Sequence, residues 1–276
     1  MSGKLYLVGT PIGNLSDFSP RAIDTLKSVD FIAAEDTRVT LKLLNRFDIK
    51  KPLVSYYEHN RFSSGERIYE RLLAGESCAL VTDAGMPAIS DPGEDIVRLC
   101  AQGGVEVCTV PGPAALISAL SLSALPSGRF CFEGFLAATG KSRREHLLSL
   151  RDEKRTMIFY EAPHKLLKTL TDFSDTFGGE RKITLCRELT KLHEETIRTT
   201  LAGALDYYAE KAPKGEFVLV LEGKPESGEP EGTVEDALKI VDDYRAEGFS
   251  LREACKKAAA ETGFAKNQLY ELAVKK

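Results

Sequence analysis

Between Cys78 and Gly93 the chain changes character in a way that narrows the folds open to it. Cys78 to Val81 is short and wholly apolar and reads as a buried strand. The next stretch, Thr82-Asp-Ala-Gly-Met-Pro-Ala-Ile-Ser-Asp-Pro-Gly93, holds two Asp, two Gly and two Pro and reads as a loop. A segment of helical apolar period begins at Ile96. A strand that opens into a polar loop and then a helix is the unit of an open α/β sheet. Such sheets place their ligands beyond the carboxyl ends of the strands. On its own the run is either a ligand loop or an ordinary strand-to-helix connection.

The unit repeats. Strands are expected at Leu5–Val8, Phe31–Ala34, Leu53–Tyr56, Ala79–Thr82 and Glu106–Val110. Helices are expected at Ala22–Ser28, Leu41–Phe47, Ile68–Ala74, Glu94–Gln102 and Ala114–Ser123. Alternation with short loops implies βαβ units and a mostly parallel sheet. Pro20 and Pro113 suit the first turns of helices. After Leu125-Pro-Ser-Gly128 the spacing loosens. Phe130–Phe135, Thr156–Tyr160, Ile183–Arg187, Glu195–Thr200 and Glu216–Leu221 read as strands of a second, mixed sheet, with 183–187 and 195–200 suited to antiparallel pairing. Lys224 to Thr233 has no large apolar residue and reads as a linker. Val234–Ala246, Leu251–Thr262 and Lys266–Val274 read as helices, with a capping box at Ser250 and Glu253 and a C-cap at Gly263. The expected division is an N-terminal α/β domain over 1–126, a second α/β domain over 127–223, a linker over 224–233 and a helical domain over 234–276. The last has the form of a helix-turn-helix. Residues 251–276 hold six Lys/Arg against three Asp/Glu, so that unit is either a packing or dimerisation appendage or a nucleic-acid contact.

A chain of 276 residues that is 43% apolar has enough material for two or three cores. It holds no run of eighteen apolar residues, so no membrane helix is expected. The formal charge of −4 excludes a globally basic nucleic-acid binder and leaves only local patches. Six scattered cysteines with no C-x-x-C pair suit reduced thiols in a cytoplasmic protein. Four histidines at no ligand spacing argue against a zinc site, and no metal is expected.

Four loops carry polar chemistry. Val8-Gly-Thr-Pro-Ile-Gly-Asn-Leu-Ser-Asp17 has G-x-x-x-G spacing, which is neither the dinucleotide fingerprint nor a P-loop. Ala34-Glu-Asp-Thr-Arg38 puts two carboxylates and an arginine just past a strand, as a polar site, a helix N-cap, or both. Tyr56-Tyr-Glu-His-Asn-Arg61 suits stacking and phosphate contact, or a plain surface. Val110-Pro-Gly-Pro-Ala-Ala115 brings a glycine and the start of a helix together. The loops at 9–17, 83–93 and 111–115 would line one sheet edge, where a nucleoside-bearing cofactor would lie. Residues 141–168 carry eight Lys/Arg against four acids, as a solvated helix face or a polyanion contact.

Seven blocks stand in order: Leu5-Tyr-Leu-Val-Gly-Thr-Pro-Ile-Gly-Asn-Leu15, Ala34-Glu-Asp-Thr-Arg38, Asp83-Ala-Gly-Met-Pro-Ala-Ile-Ser-Asp-Pro-Gly93, Val110-Pro-Gly-Pro113, Phe132-Glu-Gly-Phe-Leu136, Phe159-Tyr-Glu-Ala-Pro-His164 and Arg187-Glu-Leu-Thr-Lys191. Together they resemble the ribosomal RNA small subunit methyltransferase I family of the tetrapyrrole-methylase superfamily, over roughly residues 4–223. The resemblance implies two α/β domains with S-adenosyl-L-methionine in the cleft between them. It implies methylation of a cytidine ribose 2′-hydroxyl in 16S rRNA, in a cytoplasmic homodimer with no membrane contact. The low overall charge favours the assembled small ribosomal subunit over naked RNA as substrate. Here Met86 stands where the family has Thr, Ala114 where Ser is common, and Ala162 and Lys165 where Ser and Arg are usual. Leu136-Ala-Ala-Thr-Gly140 lacks the usual proline and basic residues.

Candidates to assist the hydroxyl are Asp36 with Arg38, and Glu161. Candidates to hold the cofactor are Asp83, Gly85, Pro87, Ala88, Ile89 and Ser90, followed by Ala115, Leu116, Tyr160, Pro213 and Lys214. The rival readings are methylation of a tetrapyrrole or a modified protein side chain, and a catalytically silent RNA-binding module.

Overall fold

The first sheet is built from five short strands: β1 (Lys4–Val8), β2 (Phe31–Ala34), β3 (Leu53–Ser55), β4 (Cys78–Val81) and β5 (Glu106–Val110). All pair in parallel, in the order β3-β2-β4-β1-β5. Every residue of β2 and of β4 is buried, as expected for strands covered on both faces. Helices α1 (Pro20–Ser28), α2 (Thr37–Arg46), α3 (Arg61–Leu73) and α4 (Glu94–Gln102) supply the covers. One face gathers Leu26, Ile32, Leu44 and Val81, and the other gathers Phe31, Ile68, Leu80 and Ile96. These coordinates form a computed structural model that describes residues 2–225 and 233–275. Most of the expected linker, residues 226–232, lies outside the described residues.

The strand order has one reversal that matters. The chain runs outward from β1 to β2 and β3, returns to lay β4 beside β1, and then crosses to place β5 on the other side. The loops after β1, β4 and β5 therefore converge at the switch point of the sheet, where open α/β folds bind ligands.

The second sheet has the order β6-β7-β10-β8-β9, from β6 (Phe130–Phe135), β7 (Thr156–Glu161), β8 (Lys182–Arg187), β9 (Glu195–Thr200) and β10 (Phe217–Leu221). Only β6 and β7 are parallel; the other pairs are antiparallel, including β8 with β9. One face is covered by α6 (Gly140–Ser149), α7 (Leu166–Phe177) and α8 (Leu201–Ala209), around Phe159, Phe173 and Leu219. The other face is covered by α5 (Ala115–Leu122), whose Leu116, Ala119 and Leu120 pack on Ile158, Cys186, Val218 and Val220. Helix α5 follows β5 in the chain, yet its apolar side belongs to the second sheet. Polar bonds seal this contact. Arg198 Nε and Nη2 donate to the Leu122 carbonyl at 2.9 and 2.6 Å, and Thr184 Oγ1 donates to the Ser123 carbonyl at 2.9 Å. Residues 1–222 thus form one compact unit holding both sheets, with the expected boundary at 126 falling just after α5.

Residues 223–276 form the other unit, with α9 (Val234–Ala246), α10 (Leu251–Thr262) and α11 (Lys266–Lys275). Ala237, Val241, Ala254, Cys255, Ala258 and Leu269 make its core. The expected capping box at Ser250 and Glu253 is present, Thr233 and Asp236 form a second, and Gly263 ends α10 in the left-handed conformation. All six cysteines are free thiols. Among the described residues, no helix is long and apolar enough to cross a membrane.

Two outcomes follow from this packing. A methyl group on Gly112 would lie 2.8 Å from the Gly9 Cα, closer than real Cβ atoms come. Gly112→Ala is expected to lower the stability of the whole chain by about 1–3 kcal/mol, the usual cost of overpacking, read from chemical denaturation. Ser250→Ala is expected to cost the helical unit about 1 kcal/mol, seen as roughly fivefold faster amide exchange in α10.

Candidate active site

Three loops are stitched together before any side chain enters the site. The Gly9 N–H donates to the Val110 carbonyl at 3.1 Å, continuing the β1–β5 ladder past the strand ends. Thr10 and Gly85 exchange both backbone bonds, at 2.9 and 3.1 Å, which ties the loop after β1 to the loop after β4. Thr10 Oγ1, itself buried, adds a bond to the Thr82 carbonyl at 3.1 Å. Gly9 and Gly112 meet backbone to backbone, an approach that leaves no room for a Cβ on either.

The loop after β4 is folded back on itself. Gly85 and Gly93 have φ of 89° and 149°, and the non-glycine residues Ala88 and Ser90 sit at 66° and 63°. Left-handed backbone at a non-glycine residue costs of order 1–3 kcal/mol and is commonest where function requires it. The β8–β9 connection repeats the device, with Glu188 at φ 53° and Thr190 at 64°.

Between these loops and the second sheet lies a cavity of about 580 Å³. One wall comes from Ile12, Ala84–Met86, Ile89–Asp91 and Ala114–Ile117. The other comes from Phe135, Tyr160–Pro163, Cys186, Leu189, Lys191 and Glu216–Val218. Helix α5 starts at the wall with no side-chain cap on its first turn, which leaves backbone donors for a ligand. Tyr160 Oη accepts one of them, from Leu116 N at 3.3 Å. The Tyr160 ring is held edge-on by Phe132 and Phe135 at 4.9 and 5.5 Å between centroids. Burial raises its hydroxyl pKa.

Charge is distributed unevenly. Asp36 caps α2 and is clamped by Arg38, whose Nε and Nη2 donate to it at 3.0 and 2.6 Å. These bonds hold its carboxyl down at about 2. The Asp36 N–H donates to Asp83 Oδ1 at 3.2 Å, and the Asp83 N–H to Glu35 Oε2 at 3.4 Å. Burial raises the carboxyl pKa of Glu35 and of Asp83. Asp91 is pushed up to about 7, first by burial and then by the negative charges of Glu35 and Asp83.

Of the expected cofactor residues, Gly85, Ile89, Ser90, Ala115, Leu116 and Tyr160 line the cavity, and so does Glu161. Pro87 and Ala88 are outside the lining, although they stand between the lining residues Met86 and Ile89, with Ala88 in left-handed backbone. Asp83 bonds to the loop after β2 rather than forming part of the lining. Pro213 and Lys214 lie in the connection before β10, outside the lining, with the Lys214 carbonyl accepting from Arg187 Nη1 at 3.5 Å. Arg38 is 86% exposed at its side chain. Glu161 is buried and engaged. Its oxygens accept from Ala162 N at 2.8 Å and from Thr169 Oγ1 at 2.5 Å. The same Thr169 oxygen accepts from Arg143 Nη2, and Arg143 also binds Asp172 at 2.7 Å and the Ala137 carbonyl at 2.9 Å. Arg143, counted among a basic surface stretch, is thus a core residue.

Sequence reasoning missed Phe135, Lys191, Glu216 and above all Asp91 as cavity residues. Asp91 stood inside the singled-out run, and its place between Ser90 and Pro92, in a turn of constrained backbone, was the available signal. Met86, where the family pattern breaks, both lines the cavity and lies against Gly9.

Residues 4–205 match the family described as Tetrapyrrole (Corrin/Porphyrin) Methylases. The chain is 47% identical over 272 residues to ribosomal RNA small subunit methyltransferase I of Synechocystis sp., covering 99% of this chain and 98% of that one. It is 46% identical over 279 residues to the protein of the same name from Pseudomonas aeruginosa, covering 100% and 98%. The crystal structure of a diphthine synthase superposes with a TM-score of 0.63 at 13% identity, over 80% of this chain and 90% of that one. Cobalt precorrin-4 methyltransferase superposes at 0.56 and 19% identity, over 79% and 94%. At those identities the structural likeness is one of fold alone. The sequence matches reach further, and by them the chain belongs to the tetrapyrrole methylase family and, within it, to the ribosomal RNA small subunit methyltransferase I proteins.

Proposed function

We propose that this protein uses S-adenosyl-L-methionine to methylate the ribose 2′-hydroxyl of a cytidine in 16S rRNA, in the assembled small ribosomal subunit. The observation that carries the reading is the cavity at the switch point of the first sheet, in a chain nearly half identical to named small-subunit rRNA methyltransferases over almost its whole length. About 580 Å³ falls within the few hundred to 1,000 Å³ of small-molecule sites.

The residues fit the cofactor in kind. Ile12, Ile89, Leu116 and Phe135 offer an apolar wall for a flat base, and the uncapped start of α5 offers backbone donors. The carboxylates of Glu35 and Asp83, behind the wall, suit a bound cation better than a neutral molecule. The bound cofactor supplies a methyl group already activated on a sulfonium. The protein then has to hold, orient and keep water out. Glu161, fixed by Thr169 and Arg143, keeps the β7 edge of the cavity rigid. Arg38, clamped to Asp36 yet mostly exposed, is positioned to meet a phosphate. The near-half identity to proteins named for ribosomal RNA favours RNA over a tetrapyrrole ring or a modified side chain. We further propose a cytoplasmic homodimer, with residues 1–126 and 127–223 acting as the two sides of the cofactor cleft.

The test is transfer of labelled methyl from S-adenosylmethionine to small subunits from cells lacking the gene. Labelled product in an alkali-resistant dinucleotide is expected. Label in a base, or none alongside measured cofactor binding, would overturn the reading. Asp83→Ala removes the acceptor that joins the loops after β2 and β4. It is expected to weaken cofactor binding about tenfold by calorimetry, since a hydrogen bond to a charged group is worth about 1.5 kcal/mol.

A further inference from the structure

The three carboxyl groups that line the cavity are not equivalent. Glu161 is satisfied by Thr169 and the Ala162 N–H. Glu216 is satisfied by Lys191 Nζ at 2.7 Å. Lys191 is the one basic side chain of the lining among the described residues, and it is also committed to Glu188 at 2.9 Å. Asp91 has no hydrogen-bond partner and no ion pair among the described residues, although it is part-buried. The strained backbone at Ala88 and Ser90 fixes its position. The wall around it is largely apolar, with Ile89, Ala114 and Phe135.

The geometry points to Asp91 as the general base of methyl transfer: the carboxylate that takes the proton of the attacking ribose hydroxyl. This assignment rests on the 2′-oxygen reading above. The hydroxyl oxygen forms its bond to the methyl carbon while its O–H proton passes to an Asp91 oxygen. The electron pair of the methyl–sulfur bond stays on sulfur and leaves a neutral thioether. No further reactant is needed, and the carboxyl is reset by loss of its proton to water.

The surroundings suit the task. The titratable and charged groups that share the cavity region are Glu35 after β2, Asp83 after β4, Tyr160 and Glu161 on β7, Cys186 on β8, Lys191 after β8 and Glu216 before β10. Glu35 and Asp83 act on Asp91 directly, and both raise its proton affinity. Tyr160 feels the Asp91 charge in return. A carboxyl held near about 7 is basic enough to accept a proton and still ionised in useful amount at neutral pH. Asp36, a candidate on sequence, is held near about 2 by Arg38 and is a much weaker base.

The sign of the pH dependence follows. Below about 7 Asp91 is protonated and cannot accept, so the rate falls; above it the rate reaches a plateau. In the full-length enzyme, with unmodified small subunits as acceptor, Asp91→Asn is expected to lower kcat by roughly 10²–10⁴ and to abolish the acidic limb. S-adenosylmethionine binding by calorimetry is expected to stay within about threefold, since Asn keeps the shape. Asp91→Glu is expected to restore part of the rate together with a shifted limb. Asp91→Asn retaining the wild-type limb overturns the assignment, and so does loss of cofactor binding by the folded variant, which would make Asp91 a cofactor residue. If wild-type enzyme places the methyl anywhere but a 2′-oxygen, the proposed function fails with it. With a 2′-O-methyl product and an unaltered limb in Asp91→Asn, the assignment alone fails.

Discussion

The contact on which the site depends has no side chain in it. Gly9 and Gly112 press backbone against backbone where the loops after β1 and β5 cross, and Thr10 and Gly85 lock the third loop to the first. Each bond taken singly is worth about 1 kcal/mol. Their effect is geometric. They fix three loops from non-neighbouring parts of the sequence to a single rigid edge, against which a turn with Ala88 and Ser90 in left-handed backbone can be held. Preorganisation of that kind is what an enzyme needs when its methyl donor is already activated and the remaining task is placement.

Around this frame the electrostatics divide into groups that are satisfied and groups that are not. Arg38 and Asp36 form a closed pair, as do Lys191 with Glu188 and Glu216, and Arg143 with Asp172. Buried or half-buried charges are expected to find such partners. The exception is Asp91, which lines the cavity without a hydrogen-bond or ion-pair partner among the described residues, with Glu35 and Asp83 behind it held only by backbone N–H groups. Burial first, and neighbouring negative charge second, raise the proton affinity of all three acids, and Asp91 carries the largest displacement. Folded proteins keep such a mismatch mainly where something else supplies the compensation.

Strands β2, β4 and β10 were legible because they are buried throughout and read as unbroken apolar runs. The starts of α1, α2 and α3 were read late, whereas those of α4, α9, α10 and α11 were read where they fall. Helix α3 was expected from Ile68 and begins at Arg61, because its first two turns are mostly polar and carry little apolar period. The resemblance supplied the cavity's position and seven of its lining residues. It did not single out Asp91, whose state depends first on burial and then on the charges of Asp83, in its own loop, and of Glu35, brought near only once β2 and β4 are paired. Nor did the basic composition of 141–168 reveal that Arg143 turns inward, since Thr169 and Asp172, its partners, lie on another helix. Helix α5 is apolar nearly all round, so its sequence announces burial without saying against what.

That last helix also sets a timetable. Chains are made from the amino end, and a segment can settle only when its partners exist. The first sheet is complete once β5 has emerged, with Gly112 just behind it. The apolar side of α5 must then wait, because the surface that receives it includes Val218 and Val220 of β10. Until β10 has been made, the second wall of the cavity lacks Glu216–Val218, and the sheet behind it lacks its middle strand. The cofactor site is therefore a late product of synthesis, although most of its loop residues are among the first half to appear.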